Sequence, residues 1–116
     1  MVKKHEPESA NCPVEITLNV IGGRWKVLII HFLLDGTMRF GELSRSLGGV
    51  AARTLSKQLR ELEEDGVVER KDYREIPPRV DYSLTPLGHA LKPILLAMET
   101  WALSVKKLKK TKRTSR

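Results

Sequence analysis

Residues 51–65, AARTLSKQLRELEED, constrain the fold of this chain more than any other segment. At 100° per residue, Leu55, Leu59 and Leu62 gather on one side of a helix, while Arg53, Lys57 and Arg60 gather almost diametrically opposite, with Ser56 beside them. One stripe has to be buried and the other faces out. A chain of 116 residues has room for one domain and one core, so those leucines must share the core formed by the rest of the chain. At 41% hydrophobic and 30% charged residues, the composition is that of a globular domain.

Before that helix, Asn11, Cys12 and Pro13 read as a helix start, since a proline at the first helical position has no amide to waste. Val14, Leu18 and Ile21 keep helical spacing until Gly22 and Gly23. A second, mostly buried helix is expected over about Arg24 to Leu34, carrying Trp25, Leu28, Ile29, Phe32 and Leu33. Asp35 and Gly36 end it. Thr37, Met38 and Arg39 lead into a small amphipathic helix on Phe40, Leu43 and Leu47, which Gly48 and Gly49 close. A short helix, a glycine turn and a second helix with a basic free face make up the organisation of a helix-turn-helix reader.

After Gly66, the runs Val67 to Tyr73 and Arg79 to Leu84 read as two strands, the second with Val80, Tyr82 and Leu84 inward and Asp81 and Ser83 outward. Between them Arg74, Glu75, Ile76, Pro77 and Pro78 form a stiff hairpin tip, because two prolines fix φ and cannot join a ladder. This is a wing. Thr85 and Pro86 then open a long helix to about Leu108, with a kink expected at Pro93. Leu87, Leu91, Ile94, Leu95, Met98, Trp101, Ala102 and Val105 cover one side of it, and Leu96 with Leu103 forms a second apolar strip. A single small domain cannot cover both, so a two-fold homodimer is expected through Leu91, Leu95, Leu96, Met98, Trp101 and Leu103. The fold class is thus mainly α with a small β-hairpin wing, α+β: a winged helix-turn-helix whose last helix has a face left over for a second subunit.

Charge sharpens the picture. Of 21 basic residues, seven lie in residues 106–116, KKLKKTKRTSR, which leaves 14 basic against 14 acidic groups in residues 1–105. An anionic partner is therefore attracted by a local basic face, by the tail, or by both. Three segments are expected: a flexible arm over 1–11, a folded domain over 12–108 and a basic disordered tail over 109–116. The longest apolar stretch, Val27 to Leu34, is broken by His31 and falls far short of the ~20 residues that span a bilayer, and no apolar run follows the N-terminal basic residues. The expectation is a cytoplasmic protein without a membrane partner. One cysteine and three scattered histidines give no metal-ligand spacing, and no cofactor motif or catalytic constellation stands out.

Three stretches together, CPVEITLNVIGGRWKVLII, RFGELSRSLGGVAARTLSKQLRELEEDGVVER and YREIPPRVDYSLTPLGHAL, follow one another in an order and spacing that resembles the HxlR-type winged-helix regulators, relatives of the MarR group. The resemblance covers nearly the whole domain. It implies a dimeric transcription factor with a MarR-like winged helix-turn-helix, dimerised through its first and last helices. One departure stands out: family members often open the reading helix with a Ser or Thr cap, where Val50, Ala51 and Ala52 stand here.

Double-stranded DNA is the expected partner, through a palindromic operator. Arg53 and Lys57 are the candidates for base edges in the major groove, the groove that distinguishes all four pairs. Thr54 and Ser56 are placed for a thymine methyl or a phosphate, and Arg60 for the backbone. Lys71, Arg74 and Arg79 on the wing face flanking phosphates or the minor groove, and Arg39 is a further phosphate candidate. The alternative for the cationic helix is a solvated face, and for Arg79 a pair with a neighbouring acid. Tail lysines contact phosphates without reading sequence. Cys12, at a helix N-terminus where the dipole favours thiolate, is a candidate electrophile or oxidant sensor, against a purely packing or capping role. RNA binding and a protein-interaction winged helix are the alternatives, but aromatic residues total only 5%, too few for a base-stacking platform.

Overall fold

The computed structural model describes residues 12–114, with side chains to Lys109. In chain order the elements are α1 (Pro13–Ile21), α2 (Trp25–Leu33), β1 (Met38–Arg39), α3 (Phe40–Ser46), α4 (Ala52–Glu64), β2 (Val68–Asp72), β3 (Val80–Leu84), α5 (Pro86–His89) and α6 (Lys92–Thr114). Among the described residues no single helix is long and apolar enough to cross a membrane. The expected arm over 1–11 lies outside the described residues.

The core forms where three amphipathic helices meet a sheet. Ile29, Ile30 and Leu33 of α2, Leu43 of α3, and Leu55, Leu59 and Leu62 of α4 are essentially inaccessible, and they close against Val67, Val68, Tyr82 and Leu84. The leucine stripe of α4 is thus buried as its periodicity requires. Burying side chains of this size contributes roughly 1.5–3 kcal/mol each, which holds α4 to the core without a capping side chain.

Antiparallel pairing gives the strand order β1-β3-β2, so β3 is central. The hairpin was legible in the sequence. Strand β1 was not, since two residues have no periodicity; Met38 pairs with Tyr82 and Arg39 with Asp81. This third strand changes the environment of Asp81. The carboxylate lies on the sheet face opposite Tyr82, as alternation demands, but it is 8% exposed rather than open to solvent. Arg39 of the flanking strand β1 and Arg79, just before β3, both reach its carboxylate.

The helix expected from Pro86 onward is broken, not kinked. α5 is a single turn fixed to the sheet: Thr85 Oγ1 accepts from the Gly88 amide at 3.1 Å and donates to the Gly66 carbonyl at 2.6 Å. Gly88 is required there, because a Cβ would collide with the Val67 carbonyl. Ala90 and Leu91 form the elbow, and α6 starts at Lys92 with Pro93 in its first turn, where the missing amide has no intrahelical partner to lose. The far end differs as well: helical backbone continues to Thr114, past the expected boundary at Leu108 and through most of the segment expected as a disordered tail. Lysine is a good helix former, and cations near a C-terminus complement the helix dipole.

Candidate nucleic-acid interface

Seven residues of α3 and thirteen of α4 are joined through Gly48 and Gly49, at φ +82° and +81°, a conformation that side chains other than glycine rarely adopt. Glu42 Oε1 accepts the Arg39 amide at 2.8 Å and holds the start of α3. Ala51 precedes α4 without a side-chain cap, as the departure from the Ser/Thr pattern foretold. The first amides of the reading helix are therefore free of protein side chains.

On α4, Arg53, Lys57 and Arg60 are exposed, and among the described residues none of the three is tied up in an ion pair. Thr54 and Ser56 are half-buried at the margin of the stripe. At the margin of that stripe Glu61 is drawn aside: its Oε1 lies 2.6 Å from Lys26 Nζ of α2. That hydrogen bond holds the Glu61 carboxyl below its ordinary range, with Lys57 and Arg60 adding smaller attractions. The helix therefore offers three cations outward with Glu61 engaged by α2, while Glu64 stays exposed at the C-terminal end of the same face.

The wing adds cations from a second direction. Lys71 and Arg74 are exposed and Arg79 half-buried, so the three occupy the hairpin as expected. Arg74 sits at φ +55°, its amide held by Asp72 Oδ1 at 2.9 Å. The Tyr73 ring has Arg79 at 4.3 Å and Lys71 at 4.7 Å, both within cation–π range. Arg79 also pairs with a neighbouring acid, Nη2 to Asp81 Oδ2 at 3.2 Å, the alternative raised for it. Arg39 Nε lies 3.9 Å from the other carboxylate oxygen, which makes Arg39 part of the wing's charge cluster as well as the start of α3. The Arg79 hydrogen bond pulls the Asp81 carboxyl below its ordinary range against the opposing effect of burial, with Tyr73 and the charges of Arg79 and Arg39 adding smaller pulls in the same direction. Asp81 in turn raises Arg79.

Sequence reasoning missed Arg70. It lines a shallow cavity with Ser56, Arg60, Glu63 and Tyr82, and so links the wing to the reading helix. Alternation from the buried Val68 was the available signal: Val68 and Arg70 share a sheet face.

Cys12 is exposed and stands as the N-cap residue of α1. The six residues expected at a dimer interface divide. Leu95 is buried in its own core and Leu91 packs against it, so these two serve the fold of the single chain. Leu96, Met98, Trp101 and Leu103 stay uncovered, with Trp101 69% exposed, and α1 adds Val14, Ile16 and Leu18, each more than half exposed.

Comparison with known proteins fits this geometry. Residues 20–110 match the HxlR-like helix-turn-helix family. The HTH-type transcriptional regulator YybR of Bacillus subtilis (strain 168) is 48% identical over 98 residues, covering 84% of this chain and 78% of that protein. Among solved structures, the redox regulator HypR in its reduced form superposes with a TM-score of 0.80 at 45% identity, over 86% of this chain and 99% of that one. The transcriptional regulator YodB of B. subtilis in its reduced form gives 0.70 at 39% identity, over 78% and 90%. With a matching family profile, close regulators and the reading helix and wing in place, the chain belongs to the HxlR family of winged helix-turn-helix regulators.

Proposed function

We propose that this chain is a cytoplasmic, DNA-binding transcriptional repressor that acts as a homodimer on an inverted-repeat operator. The observation that carries this reading is the unpaired stripe of Arg53, Lys57 and Arg60 on α4, opposite leucines that fix the helix to the core. Arginine bonds guanine O6 and N7 with two donors, and the groove that displays those atoms admits one helix. Two copies related by a two-fold axis place their reading helices in successive major grooves, about 34 Å apart. Lys71, Arg74 and Arg79 then meet the flanking backbone, and the lysine-rich end of α6 adds attraction that carries no sequence information. Overlap of the bound dimer with a polymerase site gives repression.

Selection of random duplexes on the full chain tests this directly. The expected product is a palindromic consensus with half-sites about one helical turn apart; enrichment of no motif, or of a single half-site alone, would overturn the reading.

Regulation enters through Cys12, the only cysteine of the chain and an exposed one. HypR, a relative by structure, is described as a redox regulator, and its oxidised form superposes on this chain with a TM-score of 0.75 at 49% identity. A thiol at the start of α1, beside the exposed apolar residues of that helix, couples oxidation or alkylation to the subunit interface and so to the separation of the two reading heads. Cys12→Ser is expected to bind the operator normally and to stay bound in the presence of diamide or a quinone. An unchanged release by either reagent would remove Cys12 from the switch.

A further inference from the structure

A surface that binds a polyanion does not gain affinity from a carboxylate, yet one stands at the centre of the wing. Asp81 is the one buried charged residue among the described residues. It lies on the central strand, and all three strands supply its surroundings: Arg39 is its register partner on β1, Lys71 its register partner on β2, and Arg79 lies two residues before it on the same face. Both Asp81 oxygens are engaged, Oδ2 by Arg79 at 3.2 Å and Oδ1 by Arg39 at 3.9 Å. Tyr73 fills the space between Lys71 and Arg79. Arg79 of the wing and Arg39 of β1, the residue that precedes the first helix of the reading motif, are thus tied to a single anion.

Resting on the DNA-binding reading above, we propose that Asp81 is a positioning residue that sets sequence discrimination by holding Arg39 and Arg79 in one fixed arrangement. A free arginine loses rotamer entropy when it is immobilised on a phosphate. Arg79 held by its Nε and Nη2 edge has met that cost in advance, and its planar fork keeps further N–H donors for DNA. The same carboxylate removes one unit of positive charge from the face, which weakens binding to any duplex regardless of sequence. The fixed arrangement favours only the complex held in one register, on the operator, whereas the lost charge weakens operator and unrelated complexes alike. Asp81 therefore acts on their ratio.

The test compares wild type, Asp81→Asn and Asp81→Glu on the selected operator and on an unrelated duplex, in a salt titration from about 50 to about 200 mM, with thermal unfolding followed in parallel. Asp81→Asn is expected to weaken operator binding about 5- to 20-fold, to tighten unrelated binding a few-fold and to steepen its salt dependence, whereas Asp81→Glu retains most of the discrimination. A ratio left unchanged by Asp81→Asn overturns the proposal even if the fold is slightly weakened. Should Asp81→Asn fail to fold, Arg79→Lys decides, since it keeps the charge and loses the two-edged pairing. It is expected to lower operator affinity with unrelated binding unchanged, and equal losses on both duplexes overturn the proposal. Absence of any duplex binding by the wild type would instead remove the DNA-binding reading itself.

Discussion

Arg53→Ala is expected to weaken binding to the selected operator by about 1–3 kcal/mol, roughly 5- to 150-fold in Kd, and to relax the sequence requirement at the base pair it reads. The side chain is exposed and unpaired, so thermal stability should stay within about 0.5 kcal/mol of wild type. That combination distinguishes a reading residue from a structural one. Lys57→Ala should behave similarly on a neighbouring pair, and the two losses need not add, because the residues lie one helical turn apart on the same face. Arg60 sits farther along α4, near Arg70 at the junction with the wing. Arg60→Ala should therefore weaken all duplexes alike and lower the salt slope by about one unit. Quantitative binding to the operator, to single-base variants of it and to unrelated duplex separates these outcomes. If Arg53→Ala leaves operator binding intact, α4 is not the reading helix.

Trp101→Glu should have a larger effect still. In the single chain Trp101 is 69% exposed and Leu103 59%, on different sides of a helix whose first turns alone touch the core. A charge placed there costs the lone domain almost nothing but is buried and unpaired at an interface. Two linked heads gain about 10²- to 10⁴-fold over one through effective concentration, and this gain disappears when the copies separate. The expected result is a monomer by sedimentation and a loss of that order in operator affinity, with the circular dichroism of the folded chain preserved. A Trp101→Glu protein that remains dimeric at micromolar concentration would show that another surface joins the subunits.

The sequence disclosed helices better than contacts across the sheet. A stripe such as Leu55, Leu59 and Leu62 repeats often enough to fix both the element and its buried side, and Arg53 and Lys57 follow by subtraction. The two residues of β1 repeat nothing, so Arg39 was legible only as a cation before a helix and not as a neighbour of Asp81. Alternation along β3 assigned the face of Asp81 correctly, but what covers a face depends on side chains far away in the chain. The elbow at Ala90 and Leu91 was hidden for a different reason: Pro93 fits a helix start as readily as a kink, and only the anchoring of α5 by Thr85 and Gly88 decides between them. Apolar residues on α6 likewise give no sign of their partner, so Leu95 and Trp101 look alike in sequence although one is buried and the other open.

That elbow also fixes the phasing of the proposed assembly. α5 is locked to the sheet and α6 carries the exposed apolar arm, so Ala90 and Leu91 are the gearing between head and arm. One residue inserted there would swing the arm by about 100° and advance it by about 1.5 Å. Each head would then arrive at the duplex rotated out of step, and relatives with a longer or shorter elbow would be tuned to differently spaced half-sites even with identical reading helices.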